Sequence, residues 1–309
     1  MNFHKARYEM KELIILRSLN TRIALTEKES SYYWNLEKGF QGEQKFDGLL
    51  ETLSGNYLIL NDLLLEINNS TFQIDSTLIF KDTIYLVEVK NYEGDSYLEG
   101  DRWINKNTKK ERKNPILQLK RSESLFRQLM KELNYNSPIE SYLVFINPNF
   151  YLYHAPMDPS IILPPHINRF IDKISLKPPN LTDKHLKFAQ KLRSLHLNNS
   201  SFMQLPTYNY DHLEKGITCP GCHTLISEVK NSKLICESCG CSEDVTSAVL
   251  RSAKELSILF PEKSITVNTL HEWCKIIKSK KTIRRILVKN YKLIKLGKSS
   301  HYVCPQKES

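Results

Sequence analysis

The chain has 309 residues, of which 40% are hydrophobic and 25% are charged, an ordinary composition for a soluble globular protein of two or three domains. No apolar run approaches the roughly 18 to 20 residues that cross a bilayer, and the N-terminal residues lack the apolar core of a signal peptide, so neither a membrane partner nor secretion is expected. The net charge of +10 favours a polyanionic partner.

Two helices are expected before the first strands. Loosely spaced apolar residues between Met10 and Ile23 predict a helical extension over residues 1–36. An amphipathic helix follows, because apolar residues recur at intervals of three and four at Phe46, Leu49, Leu50 and Leu53. Glu43 lies three residues before the first of them and can therefore project toward the sheet.

Residues 72–90 are predicted to form two strands that turn back on each other. The run from Ile84 to Val89 is apolar and rich in β-branched residues, so Glu88 is expected on a largely buried strand. Side chains two residues apart point to the same face, which places Lys90 beside Glu88, and Asp75 lies on the preceding strand. The alternative is a surface hairpin that carries a Glu/Lys pair on its solvent face. The apolar residues around Glu88 and the presence of Asp75 favour the buried site.

Buried charges of this kind are costly unless they bind something. Asp75 and Glu88 offer the oxygen ligands that suit Mg²⁺ or Mn²⁺, and Mg²⁺ commonly takes only one or two protein carboxylates. Lys90 could orient a water molecule or offset negative charge that develops on a phosphate.

A basic segment and a third helix follow this hairpin. Residues 102–121 hold eight cations, including Arg112, Lys113 and Arg121, that could line the path of a polyanion toward the metal. Trp103 and Tyr97 could stack on bases or pack inside the protein, and packing is favoured. Asn114-Pro115 then opens a helix that carries Gln118.

This set of residues resembles the nuclease-related domain (NERD) family. The motifs are Gly42-Glu43, Gln73-Ile74-Asp75, Glu88-Val89-Lys90-Asn91, Trp103 and Asn114-Pro115-x-x-Gln118. The family is similar to the restriction-endonuclease-like PD-(D/E)xK superfamily, in which Ile74 would occupy the position of the Pro. The resemblance covers about residues 37 to 150. It implies an α/β fold with an αβββαβ core and Mg²⁺-dependent cleavage of phosphodiester bonds. Asp75, Glu88 and Lys90 would be the catalytic trio, supported by Glu43 and Gln118.

The nuclease-like domain is expected to span residues 37–197, with a buried strand at Ser141 to Asn147 and a helix from Thr182 to Leu197. A linker is expected over residues 198–214, because this stretch is rich in Asn, Ser and Tyr.

Residues 215–244 contain two Cys-x2-Cys pairs, Cys219 with Cys222 and Cys236 with Cys239, separated by thirteen residues. This spacing is typical of a zinc ribbon, in which four thiolates close a tetrahedral site and the metal is structural. Cys241 or His223 could replace one ligand, and redox-active pairs are the remaining alternative. Cys274 and Cys304 are expected to be ordinary buried thiols. Metal-ligand spacing also favours a reducing, cytoplasmic location.

Residues 245–309 show three helical patterns followed by an alternating hairpin, a succession that resembles a winged helix-turn-helix. Residues 275–298 carry ten Lys or Arg and no acidic residue. On the third helix, Ile283, Ile286 and Leu287 are expected to face the core. The nucleic-acid-binding candidates are Lys280, Lys281, Arg284, Arg285 and Lys289, although a solvated basic face is the ordinary alternative.

The first hypothesis is a Mg²⁺-dependent deoxyribonuclease, acting as an endonuclease, that the zinc ribbon and winged helix deliver to DNA. The second is a non-catalytic nucleic-acid-binding or regulatory protein that retains a nuclease-like scaffold. The retention of Asp75, Glu88 and Lys90 favours the first. A third is an enzyme that acts on RNA, since phosphate contacts do not distinguish the two polymers.

Overall fold

A computed structural model describes residues 3–53, 55, 57–178, 180–197, 203–230, 232–297 and 300–304. The chain divides into two compact units. The first unit comprises Met1–Glu9 and Asn35–Phe202, and the second comprises Met10–Trp34 and Met203–Ser309. None of the helices in the described part of the chain is both long and apolar enough to span a membrane.

The helices are α1 (Lys11–Arg22), α2 (Glu27–Glu51), α3 (Pro115–Glu132), α4 (Ile167–Ser175), α5 (Asp183–Ser194), α6 (Val245–Leu259), α7 (Val267–Cys274) and α8 (Lys280–Asn290). The strands of the first unit are β1 (Phe3–Lys5), β2 (Leu58–Ile67), β3 (Ser70–Ile79), β4 (Ile84–Lys90), β5 (Gly94–Glu99), β6 (Arg102–Asn105), β7 (Glu111–Arg112), β8 (Ile139–Phe145), β9 (Phe150–Tyr153) and β10 (Ile161–Ile162). Those of the second unit are β11 (Glu228–Lys230), β12 (Lys233–Ile235), β13 (Ser242–Asp244), β14 (Lys292–Ile294) and β15 (His301–Val303).

The first unit is built on a mixed six-stranded sheet in the order β1-β2-β3-β4-β8-β10. Asn68 and Asn69 join β2 to β3 with positive φ angles of 49° and 57°, as a two-residue hairpin turn requires. β3 pairs antiparallel with β4, which confirms the predicted hairpin. β4 then pairs in parallel with β8, and the connection between them includes α3. This order gives the α/β class expected from the sequence.

Helices cover both faces of this sheet. On one face, α2 and α4 bury Phe46, Leu50 and Phe170 against residues such as Val87 and Val89 of β4. The other face is covered by α3 and α5, whose apolar residues pack against a second set of strand residues that includes Leu86. Because β4 is covered on both sides, its residues from Ile84 to Val89 are all buried.

A second sheet in the order β7-β6-β5-β9 lies in the same unit. Its inner face carries Leu98, Trp103 and Phe150, which join Phe145 of β8 in one apolar cluster. Trp103 is fully buried and stacks on Phe145 with ring centroids 5.5 Å apart, so packing is its role in this structure.

The second unit has one apolar core. It combines residues of α1, α6, α7 and α8 with two of the cysteines, Cys219 and Cys236. The small sheets are β11-β12-β13 and β14-β15. The predicted succession of three helices and a hairpin over the C-terminal residues is thus present.

Three expectations need correction or qualification. The segment predicted as a helical extension over residues 1–36 also contains a strand, β1, which pairs in parallel with β2. Cys274 is buried as expected, but Cys304 is exposed. Of the predicted linker 198–214, residues 198–202 lie outside the described residues, while Tyr210 and Leu213 are buried in the core of the second unit. Burial of these two side chains stabilises the folded second unit, whereas a solvent-exposed linker would leave them in water.

Candidate active site and metal centre

The sheet brings Asp75, Glu88 and Lys90 close together in space. The register of β3 with β4 ends at Ser76 opposite Val87, and Asp75 and Glu88 are the next residues on their strands. On the neighbouring strand, Asp62 has a left-handed φ of 55°, although the register of β2 with β3 is the same on both sides of it, at Asn61 with Ser76 and at Leu63 with Ile74. Here the Asp75 carboxylate reaches β4 and accepts a 2.8 Å hydrogen bond from the amide of Val89.

Glu88 is the most enclosed of these residues, with 2% of its surface exposed, and Asp75 is 7% exposed. Lys90 Nζ lies 2.5 Å from Glu88 Oε1, and Gln118 Nε2 of α3 donates to the same oxygen at 2.5 Å. Lys90 Nζ also lies 3.4 Å from Gln118 Oε1. Asn114 positions α3 for this contact, because its side chain accepts from the amide of Ile116 and caps the helix.

Glu43 reaches the site from α2, and the glycine before it explains how. A Cβ placed on Gly42 would lie only 2.5 Å from Cβ of Asn91, the residue that follows β4. Only a glycine lets α2 approach the end of β4 this closely. The Gly42-Glu43 pair therefore combines a close approach with a carboxylate beside the sheet.

The structure adds a residue that sequence reasoning missed. Arg7 of the N-terminal segment is almost fully buried and lies 2.7 Å from Glu43 and 2.9 Å from Asp47. Its guanidinium also donates to the backbone carbonyl of Asp75 at 2.9 Å and to the hydroxyl of Ser76 at 3.1 Å. A lone Arg after a three-residue strand gives no pattern from which this placement could be predicted.

The carboxylates resist ionisation in this structure. Burial, followed by the nearby charge of Asp75, raises the pKa of Glu88 to about 7 despite the opposing effects of Lys90 and Lys113. The same two causes raise the pKa of Glu43 to about 8, although Arg7 opposes them. Burial also raises the pKa of Asp75. The pKa of Lys90 is lowered by burial but raised more strongly by Glu88 and Asp75, so it remains a cation.

These residues fit a divalent cation on the basis of their donor set and charge. Asp75 raises the pKa of both neighbouring Glu side chains, so an added positive charge would stabilise the ionised forms of all three. In the part of the chain that the structure describes, Glu43, Asp75 and Glu88 do not form a cluster with all ligand atoms within 4.8 Å of one another. A pair of carboxylates still matches what Mg²⁺ commonly takes from proteins.

The four cysteines of the two Cys-x2-Cys pairs do form such a cluster. The ligand atoms of Cys219, Cys222, Cys236 and Cys239 all lie within 4.8 Å of one another. Cys219 Sγ is 3.5 Å from Cys239 Sγ, and the amide of Gly221 donates to Cys219 Sγ at 3.3 Å. This arrangement is compatible with a structural zinc ion and leaves His223 and Cys241 outside the ligand set.

The predicted nucleic-acid-binding residues lie on the surface in two places. Arg112, Lys113 and Arg121 are exposed in the first unit. In the second unit, α8 buries Ile283, Ile286 and Leu287, and its exposed cations are Lys280, Lys281, Arg284, Arg285 and Lys289. Among these cations, Lys113 lowers the pKa of Glu88.

The first unit is thus an α/β unit in which two buried carboxylates and a lysine lie together at the end of strand β4. Residues 38–146 match the family described as the nuclease-related domain, NERD. No curated protein and no solved structure matches the chain. The match confirms the resemblance that the motifs predicted over this segment, and a cysteine cluster compatible with a zinc ribbon follows it.

Proposed function

We propose that the first unit is a Mg²⁺-dependent or Mn²⁺-dependent nuclease that hydrolyses phosphodiester bonds in DNA as an endonuclease. The observation that carries the proposal is the burial of Asp75 and Glu88 in one place with Lys90 bonded to Glu88. The element order α2-β2-β3-β4-α3-β8 supports an αβββαβ core of the restriction-endonuclease-like kind. The match to the nuclease-related domain supports the same reading.

Asp75 and Glu88 would hold the ion. Both hydrogen bonds to Glu88 end on Oε1, and the bond from Val89 ends on Asp75 Oδ2, so Glu88 Oε2 and Asp75 Oδ1 are the candidate ligand atoms. When bound, a divalent ion polarises a phosphoryl oxygen and lowers the pKa of water. Mg²⁺ keeps several waters of its own, so two carboxylates suffice.

The side chains around the carboxylates have separate roles. Gln118 and Lys90 fix the orientation of Glu88 through their bonds to Oε1. Lys90 remains charged and is partly exposed, so it can offset the negative charge that develops on the phosphate during cleavage. Glu43, held by Arg7, lies beside Asp75; a bound cation would favour its ionised form, which in turn supports binding of the cation.

Cleavage assays on DNA with Mg²⁺ or Mn²⁺ test this proposal. Asp75→Asn and Glu88→Gln should abolish cleavage, and Lys90→Met should slow it by roughly a hundredfold or more. Glu66→Gln is the matched control, because Glu66 is exposed on β2 of the same sheet. Each variant is first checked for folding by circular dichroism. If wild-type and Asp75→Asn proteins bind DNA alike and neither cuts any form of DNA or RNA, the non-catalytic scaffold is the correct reading.

We further propose that the second unit binds DNA as a winged-helix-like module stabilised by a structural zinc ion. The support is the order α6-α7-α8-β14-β15 and the exposed cations of α8. Phosphate contacts make affinity depend on salt, and removing one contact lowers the slope of log K against log salt by about 1. Replacing Arg284 and Arg285 by Gln should lower that slope by about 2, whereas Lys254→Gln on α6 should leave it unchanged. The cytoplasmic location expected from the cysteine spacing stays a prediction.

A further inference from the structure

The second sheet of the first unit exposes three tyrosines on one face. In the parallel pairing of β5 with β9, Tyr97 lies opposite Tyr153, and Tyr151 lies two residues before Tyr153 on the same face. Tyr151 is 62% exposed and Tyr153 is 46% exposed, while Tyr97 is half-buried. The opposite face of this sheet is the buried cluster around Trp103. The aromatic rings on this face are therefore exposed to solvent, while the opposite face of the sheet packs in the core of the first unit.

Cations lie over two of these rings. Lys106 Nζ is 4.5 Å from the centroid of the Tyr153 ring, and Lys109 Nζ is 5.6 Å from that of Tyr97. Asp95 on the same face lies 3.1 Å from Lys106 and 3.4 Å from the Tyr153 hydroxyl, so it offsets one of these charges. An aromatic ring can stack on a base of any kind, and a nearby cation can meet the adjoining phosphate.

The chain that supplies these cations leads to the catalytic carboxylates. Residues 106–113 contain five basic residues and one acidic residue, so the segment is strongly positive. At its end Lys113 directly precedes Asn114, which caps α3, and Gln118 of that helix donates to Glu88. Positive charge thus continues from the tyrosine face to the proposed active site within one unit. A duplex hides the faces of its bases, so exposed rings favour a strand whose bases are unpaired.

We propose that Tyr97, Tyr151 and Tyr153 form a stacking surface for a single-stranded stretch of nucleic acid, which the segment 106–113 guides toward Asp75 and Glu88. The proposal deepens the proposed nuclease function and rests on its nucleic-acid substrate. It names the substrate class as DNA with an unpaired region beside the scissile bond, in place of a continuous duplex.

Nucleic-acid binding by the full-length Asp75→Asn protein tests the proposal. This variant should not cleave the probe, so no chelator, which would also remove zinc, has to be added to prevent cleavage. Fluorescence anisotropy is measured with a single-stranded deoxyoligonucleotide and with the matched duplex. Replacing Tyr151 and Tyr153 together by Ala should weaken single-strand binding at least about tenfold and leave duplex binding unchanged. The double Phe variant keeps both rings and should bind as the parent does. Leu186→Ala, at an exposed apolar residue of α5, is the control.

A second measurement leaves the rings in place. A single strand that carries iodouracil is irradiated with the parent protein, and the cross-linked peptide is identified by mass spectrometry. Cross-links on Tyr97, Tyr151 or Tyr153 support the surface. Unchanged single-strand binding in the Ala variant, an equal loss for duplex, or cross-links only elsewhere would overturn it. If the wild-type protein cuts no DNA while these cross-links form, the nuclease proposal fails and the single-strand surface stands.

Discussion

Arg7 pairs with Glu43 and Asp47 in the interior of the first unit. Removing one partner of a buried ion pair typically costs roughly 3–5 kcal/mol, because the other charge remains buried. Arg7→Met should therefore lower the free energy of unfolding by about 3 kcal/mol near pH 9, where Glu43 is ionised. The loss should be smaller near pH 6, where Glu43 is protonated and needs no cation.

Urea unfolding at the two pH values measures this effect. Arg169→Met, at an exposed residue of α4, is the matched control and should change the unfolding free energy little. A loss that is the same at both pH values would contradict the link between Arg7 and the charge of Glu43.

The raised pKa of Glu88, about 7, makes both stability and metal affinity depend on pH. Between the ordinary value of 4.5 and about 7 the folded chain holds a proton that the unfolded chain releases. The metal-free protein should therefore lose stability as pH rises through this window, and Glu88→Gln should flatten the loss. Mg²⁺ binds the ionised form, so its affinity should rise across the same range. Isothermal titration calorimetry with Mg²⁺ at several pH values measures this affinity. An affinity that falls as pH rises would contradict the prediction.

Helix α2 provides an internal comparison of three glycines. A methyl group on Gly42 would meet Cβ of Asn91 at 2.5 Å, whereas one on Gly39 or Gly48 meets nothing within 4 Å. Gly42→Ala should destabilise the protein by roughly 1–3 kcal/mol, since packed surfaces yield poorly to an added carbon. Gly39→Ala and Gly48→Ala should stabilise it by roughly 0.5–1 kcal/mol through helix propensity. Thermal unfolding distinguishes the two outcomes, and destabilisation by all three substitutions would refute the close-approach argument.

The elements that carry strong local patterns were predictable from sequence. The β3–β4 hairpin follows from its apolar and β-branched residues, and α3 follows from Asn114-Pro115 and its apolar stripe. By contrast, β1 is three residues long and pairs with β2 more than fifty residues away, so it has no local signal. Arg7 was missed for this reason. The contact of Gln118 with Glu88 was expected only from the family resemblance, because it joins a helix to a strand across the fold.

The cysteine cluster belongs to the core of the second unit, where Cys219 and Cys236 are buried. Small modules of this kind take much of their folding free energy from the metal. Cys236→Ser should therefore abolish stoichiometric zinc and lower the unfolding temperature of the second unit. Cys241→Ser is the matched control, since Cys241 lies outside the cluster, and it should retain zinc. Zinc content by mass spectrometry measures both, and loss of zinc from Cys241→Ser alone would contradict the assigned ligand set.

In the proposed active site, Asp75 and Glu88 together hold one divalent ion. Anomalous scattering from a crystal soaked with Mn²⁺ locates such an ion. We expect one anomalous peak within coordination distance of a carboxylate oxygen of each residue, and no such peak in the Asp75→Asn protein. A peak that touches neither carboxylate, or no peak at saturating Mn²⁺ above pH 8, would contradict the claim.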